Sequence, residues 1–378
     1  MSWICPQPFR YIYPSNYGWK PCCRESWFPA ENKPIMDWWT KDDNLNTMRR
    51  DMISGELSEF TKKVCDGCIK REEQGGQSYR TNIENYMDDA TMDTILDFAE
   101  TGEMKLQHRN LIYKMRIGDQ CNLSCYMCDP INSTTRRKEI EKLPPDYFPL
   151  PEKEEMDSVI GMIEVAPYIS SLFLSGGEPL YSKRTYEVLD LLIDGGWAKD
   201  INIHVSTNLT RIRPFMKRFY NEFASISLSV SVDDLFERND WLRHGSHFIE
   251  IIRNLNWLKD SRVGHCIHPS WSMLNVLNAR QILHFFRDKM MSPNLNLVDG
   301  PAFLHPKNLP DEAKEELLED LCRSDHEMIQ ELMLYIGMER DEEQWRKGID
   351  YCDELDKIRG TNFREIFKNE YTDFTYGR

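Results

Sequence analysis

The sequence predicts an α/β protein whose central part is a partial (β/α)6 TIM-like barrel, flanked by a small N-terminal domain and by C-terminal helices. From about residue 110, short β-rich runs alternate with amphipathic stretches: LIYKMRI, SSLFLS, INIHVS, SISLSVSV, VGHCIHPSW and LNLV. Strands that alternate with helices indicate right-handed βαβ units and therefore a parallel sheet. These six runs are too few to close an eight-stranded barrel, so we expect a curved, open one.

The intervening stretches have helical spacing of apolar residues near 154–166, 182–194, 211–220, 246–259 and 277–288. On this basis the chain divides into four parts. We expect a cysteine-rich domain built on turns at 1–80, a helical connector at 81–108, the barrel at 109–310 and a helical extension at 311–378.

Composition and charge argue against some classes of function. The 378 residues carry 47 basic and 62 acidic side chains, a formal net charge of −15, which disfavours binding to a phosphate backbone. The start of the sequence has no basic region followed by an apolar one, and no apolar run approaches the length of a membrane span. We therefore expect a cytoplasmic protein that binds neither membrane nor nucleic acid.

Three of the 11 cysteines lie close together, at Cys121, Cys125 and Cys128, directly after the first predicted strand. Three thiolates on one loop can bind one face of an iron–sulfur cluster, and a cluster that usually takes four ligands would then keep one iron open. The alternatives are a zinc site or buried thiols. Zinc prefers four closed ligands, and its signatures usually pair two-residue spacings.

Polar motifs follow the next strands as well, where parallel α/β folds place their chemistry. Gly176-Gly-Glu-Pro179 follows LFLS, Thr207-Asn208 follows IHVS, and Asp233-Asp234 follows LSVSV. Arg243-His-Gly245 comes ten residues after Asp233. A GGEP sequence by itself could be an ordinary turn, and Arg243 could be a solvated charge at the end of a helix.

Together with the CxxxCxxC loop, these motifs resemble the radical S-adenosylmethionine (SAM) superfamily over about residues 110–310. The resemblance implies a [4Fe–4S] cluster on Cys121, Cys125 and Cys128, with SAM on its open iron. It also implies a 5′-deoxyadenosyl radical that abstracts hydrogen from a substrate. The SAM-binding residues that it implies are Met127, Gly176, Gly177, Glu178, Asn208, Ser231, Asp233 and Arg243.

Within that resemblance, individual roles can be assigned. Glu178 would face the amino group of SAM, Ser231 and Asp233 would meet its ribose, and Arg243 would pair with its carboxylate. Met127 stands where the family usually has an aromatic residue. Leu209 and Asp234 stand where the family has glycine.

A second group of cysteines lies near the N-terminus: Cys5, Cys22, Cys23, Cys65 and Cys68. Gly18 before Cys22 and Cys23, followed later by Cys65-Asp-Gly-Cys68, resembles the twitch form of the SPASM domain, which holds an auxiliary [4Fe–4S] cluster. Only one of Cys22 and Cys23 should ligate, because adjacent residues on a strand point to opposite sides. A zinc knuckle is the alternative.

The resemblance implies an oxidoreductase or peptide-modifying enzyme acting on a peptide or protein-derived substrate, with a flavodoxin or ferredoxin as electron donor. The auxiliary cluster would accept an electron or position the substrate. A radical enzyme that oxidises a small polar metabolite is the second hypothesis, and a non-catalytic metal-binding scaffold is the third.

Overall fold

The computed structural model describes residues 4–15, 18–22, 28–29, 33–73, 75–76, 78–84, 87–148, 158–259, 261–287, 296–298, 300–323 and 327–368. Cys23 lies outside these residues. The strands in them are β1 (Tyr11–Ser15), β2 (Gly18–Lys20), β3 (Leu111–Arg116), β4 (Ser124–Cys125), β5 (Ile169–Ser175), β6 (Asn202–Thr207), β7 (Ser225–Val230), β8 (Arg243–His244), β9 (Gly264–Ile267), β10 (Ser270–Trp271) and β11 (Asn296–Leu297).

The helices fall into three groups along the chain. Those before the barrel are α1 (Gln7–Arg10), α2 (Ile35–Lys41), α3 (Asp43–Ser54), α4 (Glu59–Val64), α5 (Asp66–Glu73), α6 (Tyr79–Glu84) and α7 (Asp89–Thr101). Those of the barrel are α8 (Thr134–Ile140), α9 (Ser158–Val165), α10 (Lys183–Asp194), α11 (Ile212–Phe219), α12 (Phe236–Leu242), α13 (Phe248–Leu258) and α14 (Ala279–Phe285). The last group is α15 (Asp311–Leu321), α16 (Glu327–Ile336), α17 (Glu342–Arg359) and α18 (Phe363–Ile366).

The central sheet has the strand order β2-β1-β3-β5-β6-β7-β9. Its strands pair in parallel, except for the β1–β2 hairpin. The predicted α/β class with a parallel sheet is confirmed. The predicted helical stretches become α9, α10, α11, α13 and α14, which alternate with the strands.

The two faces of the sheet differ in polarity because side chains alternate along each strand. In β3, Leu111, Tyr113 and Met115 are buried, and the same alternation continues in β6 and β7. On the other face Lys114, Phe173, His204 and Ser227 are neighbours in register across four strands. Of this row, Phe173 is exposed and the others are partly buried. The sheet therefore has an apolar face packed on helices and an accessible polar face.

The sixth predicted strand does not join the central sheet. Asn296–Leu297 pairs in parallel with Ser270–Trp271 as a separate two-stranded sheet. The fifth predicted run is itself split into β9 and β10 around Pro269, which has no N–H to give to a ladder.

The N-terminal segment differs from the predicted turn-based domain. Its β1 pairs in parallel with β3, with Tyr11 opposite Ile112 and Ile12 opposite Tyr113. Much of its described remainder is helical, from α2 to α5. Trp38 and Trp39 belong to the same hydrophobic core as the barrel. The predicted boundary near residue 80 is therefore not a boundary of the sheet, because 1–80 supplies two of its strands.

The C-terminal extension is helical, as predicted, and is packed on the rest of the protein. In α17, Tyr351, Cys352 and Leu355 are fully buried. Within the described part of the chain, no helix combines the length and the apolar character that crossing a membrane requires.

Candidate functional site

The cysteine loop leaves the carboxyl end of β3 and returns along a short ladder. Cys125, in β4, lies opposite Arg243, in β8, and the Tyr126 N–H donates to the Leu242 carbonyl at 2.8 Å. Cys125 is buried, whereas Cys121 and Cys128 are partly exposed. The fold thus brings the CxxxCxxC loop against the predicted Arg-x-Gly segment.

The three thiols lie near one another in a buried setting. Burial and, as a smaller contribution, the neighbouring Cys125 raise the pKa of Cys121 to about 11. Burial, followed by Cys125, likewise raises the pKa of Cys128 to about 12. The metal-free thiols are therefore protonated at neutral pH, and metal binding would release their protons.

Gly176 and Gly177 hold the segment that leads into Cys121. Gly176 has φ +115°, and a Cβ there would lie 2.7 Å from the Gly118 carbonyl oxygen. A Cβ on Gly177 would lie 2.3 Å from the carbonyl oxygen of Gln120. The Gly177 and Glu178 N–H groups donate to those same two carbonyls, each at 2.8 Å. Only glycine permits this close packing of the two loops.

Glu178 lies at the ends of β5 and β6, where its carboxylate has partners within the protein. Its buried carboxylate accepts from the Thr207 hydroxyl at 2.6 Å, the Asn208 N–H at 2.7 Å and the Leu180 N–H at 3.0 Å. These contacts join the end of β5 to the end of β6. The contact of this carboxylate with the amino group of SAM stays a prediction.

Asn208 connects the end of β6 to the cysteine loop. Its amide donates to the Asn122 side-chain oxygen at 2.9 Å, and Asn122 donates to the Thr210 hydroxyl at 3.1 Å. Leu209, in the place of the family's glycine, has φ 59° in the left-handed region. Sequence reasoning missed Asn122, although its position between two cysteines was a usable signal.

Arg243 and Asp233 form a buried ion pair. Arg243 Nη1 lies 2.7 Å from Asp233 Oδ2, and Asp233 Oδ1 accepts from the Ser270 N–H at 2.8 Å. Burial lowers the pKa of Arg243, but Cys125 and Asp233 outweigh it and leave that pKa raised. Asp233 therefore orients Arg243, and its contact with the ribose of SAM stays a prediction.

One atom of Arg243 remains available to a ligand. Its Nε is buried and has no hydrogen-bond partner in the described part of the chain, although a buried polar atom usually has one. A carboxylate reaching this atom would satisfy it, and such a carboxylate is the group that the resemblance assigns to Arg243. Of the other predicted SAM residues, Met127 and Ser231 are partly exposed next to this pair and the cysteine loop.

The N-terminal cysteines come together from separate segments. Cys5, Cys22, Cys65 and Cys68 line one cavity, with Met48, Met52, Val64 and Arg80 among the other side chains of its wall. Burial raises the pKa of Cys5 to about 12, and Cys68 contributes in the same direction. The structure thus brings the four described N-terminal candidates to one place.

Among the described residues, no group of three or more His, Cys, Asp or Glu side chains is arranged to hold a single metal ion. This is true of both cysteine groups. A four-iron cluster uses a different thiolate for each iron, so its ligands need not converge on one point.

Residues 115–278 match the family model of the Radical SAM superfamily. The chain therefore carries a radical SAM domain over that stretch. This family implies a [4Fe–4S] cluster and SAM. No curated protein matches the chain.

Several solved structures resemble the fold. A structure of anSMEcpe with bound AdoMet is 18% identical, has a TM-score of 0.41, and is matched over 56% of this chain and 59% of its own. Streptococcus suis SuiB bound to the precursor peptide SuiA is 12% identical with a TM-score of 0.38, over 78% of this chain and 63% of its own. The chain thus spans about three-fifths of the length of these proteins.

Proposed function

We propose that this protein is a radical SAM enzyme that cleaves SAM reductively and abstracts hydrogen from a peptide or protein-derived substrate. One observation carries the proposal. Three cysteines lie on the loop after β3, and one of them, Cys125, lies opposite Arg243, whose buried Nε has no hydrogen-bond partner among the described residues. This combination suits a cluster with one open iron beside a carboxylate-binding cation.

The [4Fe–4S] cluster, when bound, would supply an electron to the sulfonium of SAM and so generate the 5′-deoxyadenosyl radical. Cys121, Cys125 and Cys128 would hold it, and Arg243 would bind the carboxylate of SAM. Asp233 orients Arg243 through a 2.7 Å contact. Asp233 and Ser231 would also meet the ribose of SAM. Gly176 and Gly177 keep the cysteine loop close to the end of β5.

The accessible polar face of the sheet is the proposed place for the substrate. Lys114, Phe173, His204 and Ser227 stand side by side on it, and the rings of Phe173 and His204 stack at 4.2 Å. Such a surface offers both aromatic and hydrogen-bonding contacts to an amide-containing chain. The preference for a peptide over a small polar metabolite rests on the twitch-type resemblance of the N-terminal cysteines.

We further propose an auxiliary [4Fe–4S] cluster on Cys5, Cys22, Cys65 and Cys68. The support is their shared cavity, whose apolar wall of Met48, Met52 and Val64 would limit water access to a cluster. The cluster would accept an electron from the substrate radical or position the substrate. A flavodoxin or ferredoxin would reduce the barrel cluster.

Anaerobic reconstitution with iron, sulfide, SAM and dithionite tests the central proposal. The parent protein should produce 5′-deoxyadenosine. A variant with Cys121, Cys125 and Cys128 all changed to Ala should produce none and lose about half of the iron, because these thiolates are that cluster's only protein ligands.

The matched control changes Cys266 and Cys322 to Ala, since both lie outside the two cysteine groups, and it should behave like the parent. Production of 5′-deoxyadenosine at the parent rate by the triple variant would refute the proposal. No production by the reconstituted parent would favour a non-catalytic metal-binding scaffold.

A further inference from the structure

A buried charged network lies behind the cysteine loop. It consists of Arg136 and Glu139 in α8 and Arg359 at the end of α17. The side chains are 0%, 8% and 1% exposed, respectively. Arg359 Nε donates to Glu139 Oε1 at 2.7 Å, and Arg136 Nη1 donates to Glu139 Oε2. Two guanidinium groups share one carboxylate, so the network carries a net positive charge beside the loop.

This network holds the main chain of the cysteine loop. Arg359 Nη2 donates to the Ser124 carbonyl at 2.7 Å, and Arg136 Nη2 donates to the Tyr126 carbonyl at 2.7 Å. Arg136 Nε reaches the Cys128 carbonyl at 3.4 Å. Three alternate carbonyls of the loop therefore point to the same buried charges. Because each of these three peptide bonds is trans, the N–H of the following residue points away from the buried network.

Arg359 also holds the end of α12, the helix that leads into the strand β8 facing the loop. Its Nη1 donates to the Trp241 carbonyl at 2.9 Å, two residues before Arg243. One guanidinium thus bridges the segment that bears Cys125 and the segment that bears Arg243. Tyr351 lies about two turns before Arg359 in α17. Its hydroxyl donates to the Tyr126 carbonyl at 2.6 Å.

Burying this network is energetically unfavourable unless its geometry is well satisfied, and apolar replacements of buried ion pairs are often no less stable. Its contacts are concentrated on the loop that carries the thiols. We propose that Arg359, with Arg136 and Glu139, is a positioning residue that fixes the distance between the cluster ligands and Arg243. The C-terminal helix α17 is then a part of the cofactor site. This inference rests on the proposed function, because it presumes that the loop binds a cluster.

The test uses the full chain with Cys65 and Cys68 changed to Ala, so that only the barrel cluster contributes iron. Arg359→Lys keeps the charge opposite Glu139 but loses the planar fork that reaches several acceptors. We expect iron release to a chelator to accelerate about 10–100-fold, as is typical when outer-shell partners of a metal site are changed. The melting temperature of the apo-protein should stay near the parent value, and the EPR change on adding SAM should weaken.

Arg364→Ala in the same background is the matched control. Arg364 lies in α18, five residues from Arg359, and pairs with Asp353 at 3.0 Å on the same extension. It should leave iron release and the EPR response unchanged. Equal iron release from the Arg359→Lys and parent proteins would overturn the inference while the proposed function stands. Failure of the parent background to load any cluster would instead overturn the proposed function.

Tyr351→Phe provides a second variant in case Arg359→Lys does not fold. It removes one hydroxyl from a fully buried ring and preserves every charge. Loss of one hydrogen bond to the loop should accelerate iron release about 2–10-fold. No acceleration in this variant, if Arg359→Lys is unfolded, would also count against the positioning role.

Discussion

The two cysteine groups of this chain are assembled in opposite ways. Cys121, Cys125 and Cys128 lie on one loop, and their spacing is written in eight consecutive residues. Cys5 lies before α1 and Cys22 after β2, whereas Cys65 lies between α4 and α5 and Cys68 lies in α5. The first group needs only a local loop to form, whereas the second exists only if the N-terminal helices and hairpin pack correctly.

Their electrostatic settings differ as well. Near the barrel loop, Arg243, Arg136 and Arg359 all act to lower the pKa of Cys125 against its burial. In the N-terminal cavity, Arg80 opposes the burial that raises the pKa of Cys65, but Arg80 is paired with Glu72 at 2.6 Å. A more positive setting stabilises an anionic thiolate cluster better. We therefore expect the proposed barrel cluster to lie in the more positive surroundings of the two.

The largest expected effect comes from removing the N-terminal group. Changing Cys65 and Cys68 to Ala should remove about half of the iron, because two of four ligands are lost. Cleavage of SAM without substrate should persist, since the barrel ligands are untouched. Conversion of the physiological substrate should fail. Iron analysis and Mössbauer spectra of parent and variant would measure the change.

The same variant separates an auxiliary cluster from a zinc knuckle. Zinc predicts zinc in the purified parent, unchanged iron in the variant, and a folding defect caused by the loss of a structural metal. Equal iron in both proteins, with zinc only in the parent, would show that the second group does not hold a cluster.

The next largest effect is expected from a variant that disturbs the contact between Gly177 and the cysteine loop. Gly177→Ala would bring a Cβ within 2.3 Å of the Gln120 carbonyl oxygen. Relieving that overlap should cost about 1–3 kcal/mol of unfolding free energy and displace the cysteine loop, so iron loading should fall. Gly264→Ala in β9 is the control, because its Cβ would meet Ser227 at an ordinary 3.6 Å. Urea unfolding and iron content measure both effects; equal behaviour of the two variants would contradict the contact.

The smallest expected effect concerns SAM affinity. Arg243→Lys keeps a cation beside Asp233 but removes the unpartnered Nε, which should weaken SAM binding by about 1.5 kcal/mol, or roughly tenfold. Iron content should not change. Arg238→Lys is the control, since Arg238 Nε bonds the other buried aspartate, Asp234, at 2.8 Å. Calorimetric titration of the reconstituted proteins would check this, and equal affinities would place the SAM carboxylate elsewhere.

Much of the barrel was predictable from local pattern. The β-rich runs and the amphipathic stretches determine which segments become strands and helices, because periodicity reports which face is buried. The motifs that follow strands had to meet at one edge for the same reason. The roles of single side chains were less predictable. Glu178 and Asp233 are both near the site, and each has one hydrogen-bond partner, Asn208 and Ser270 respectively, that lies 30 or more residues away in the chain.

The sequence by itself determined the α/β class, the cysteine spacing and the order of the motifs, since each depends on residues close together in the chain. Only the tertiary structure decided that β1 joins the barrel sheet, that four scattered cysteines share a cavity, and that Arg359 reaches the cysteine loop. Arg359 and the Ser124 carbonyl are 235 residues apart and meet at 2.7 Å. No local pattern encodes such a contact, because it arises from how the C-terminal helix packs against a folded barrel.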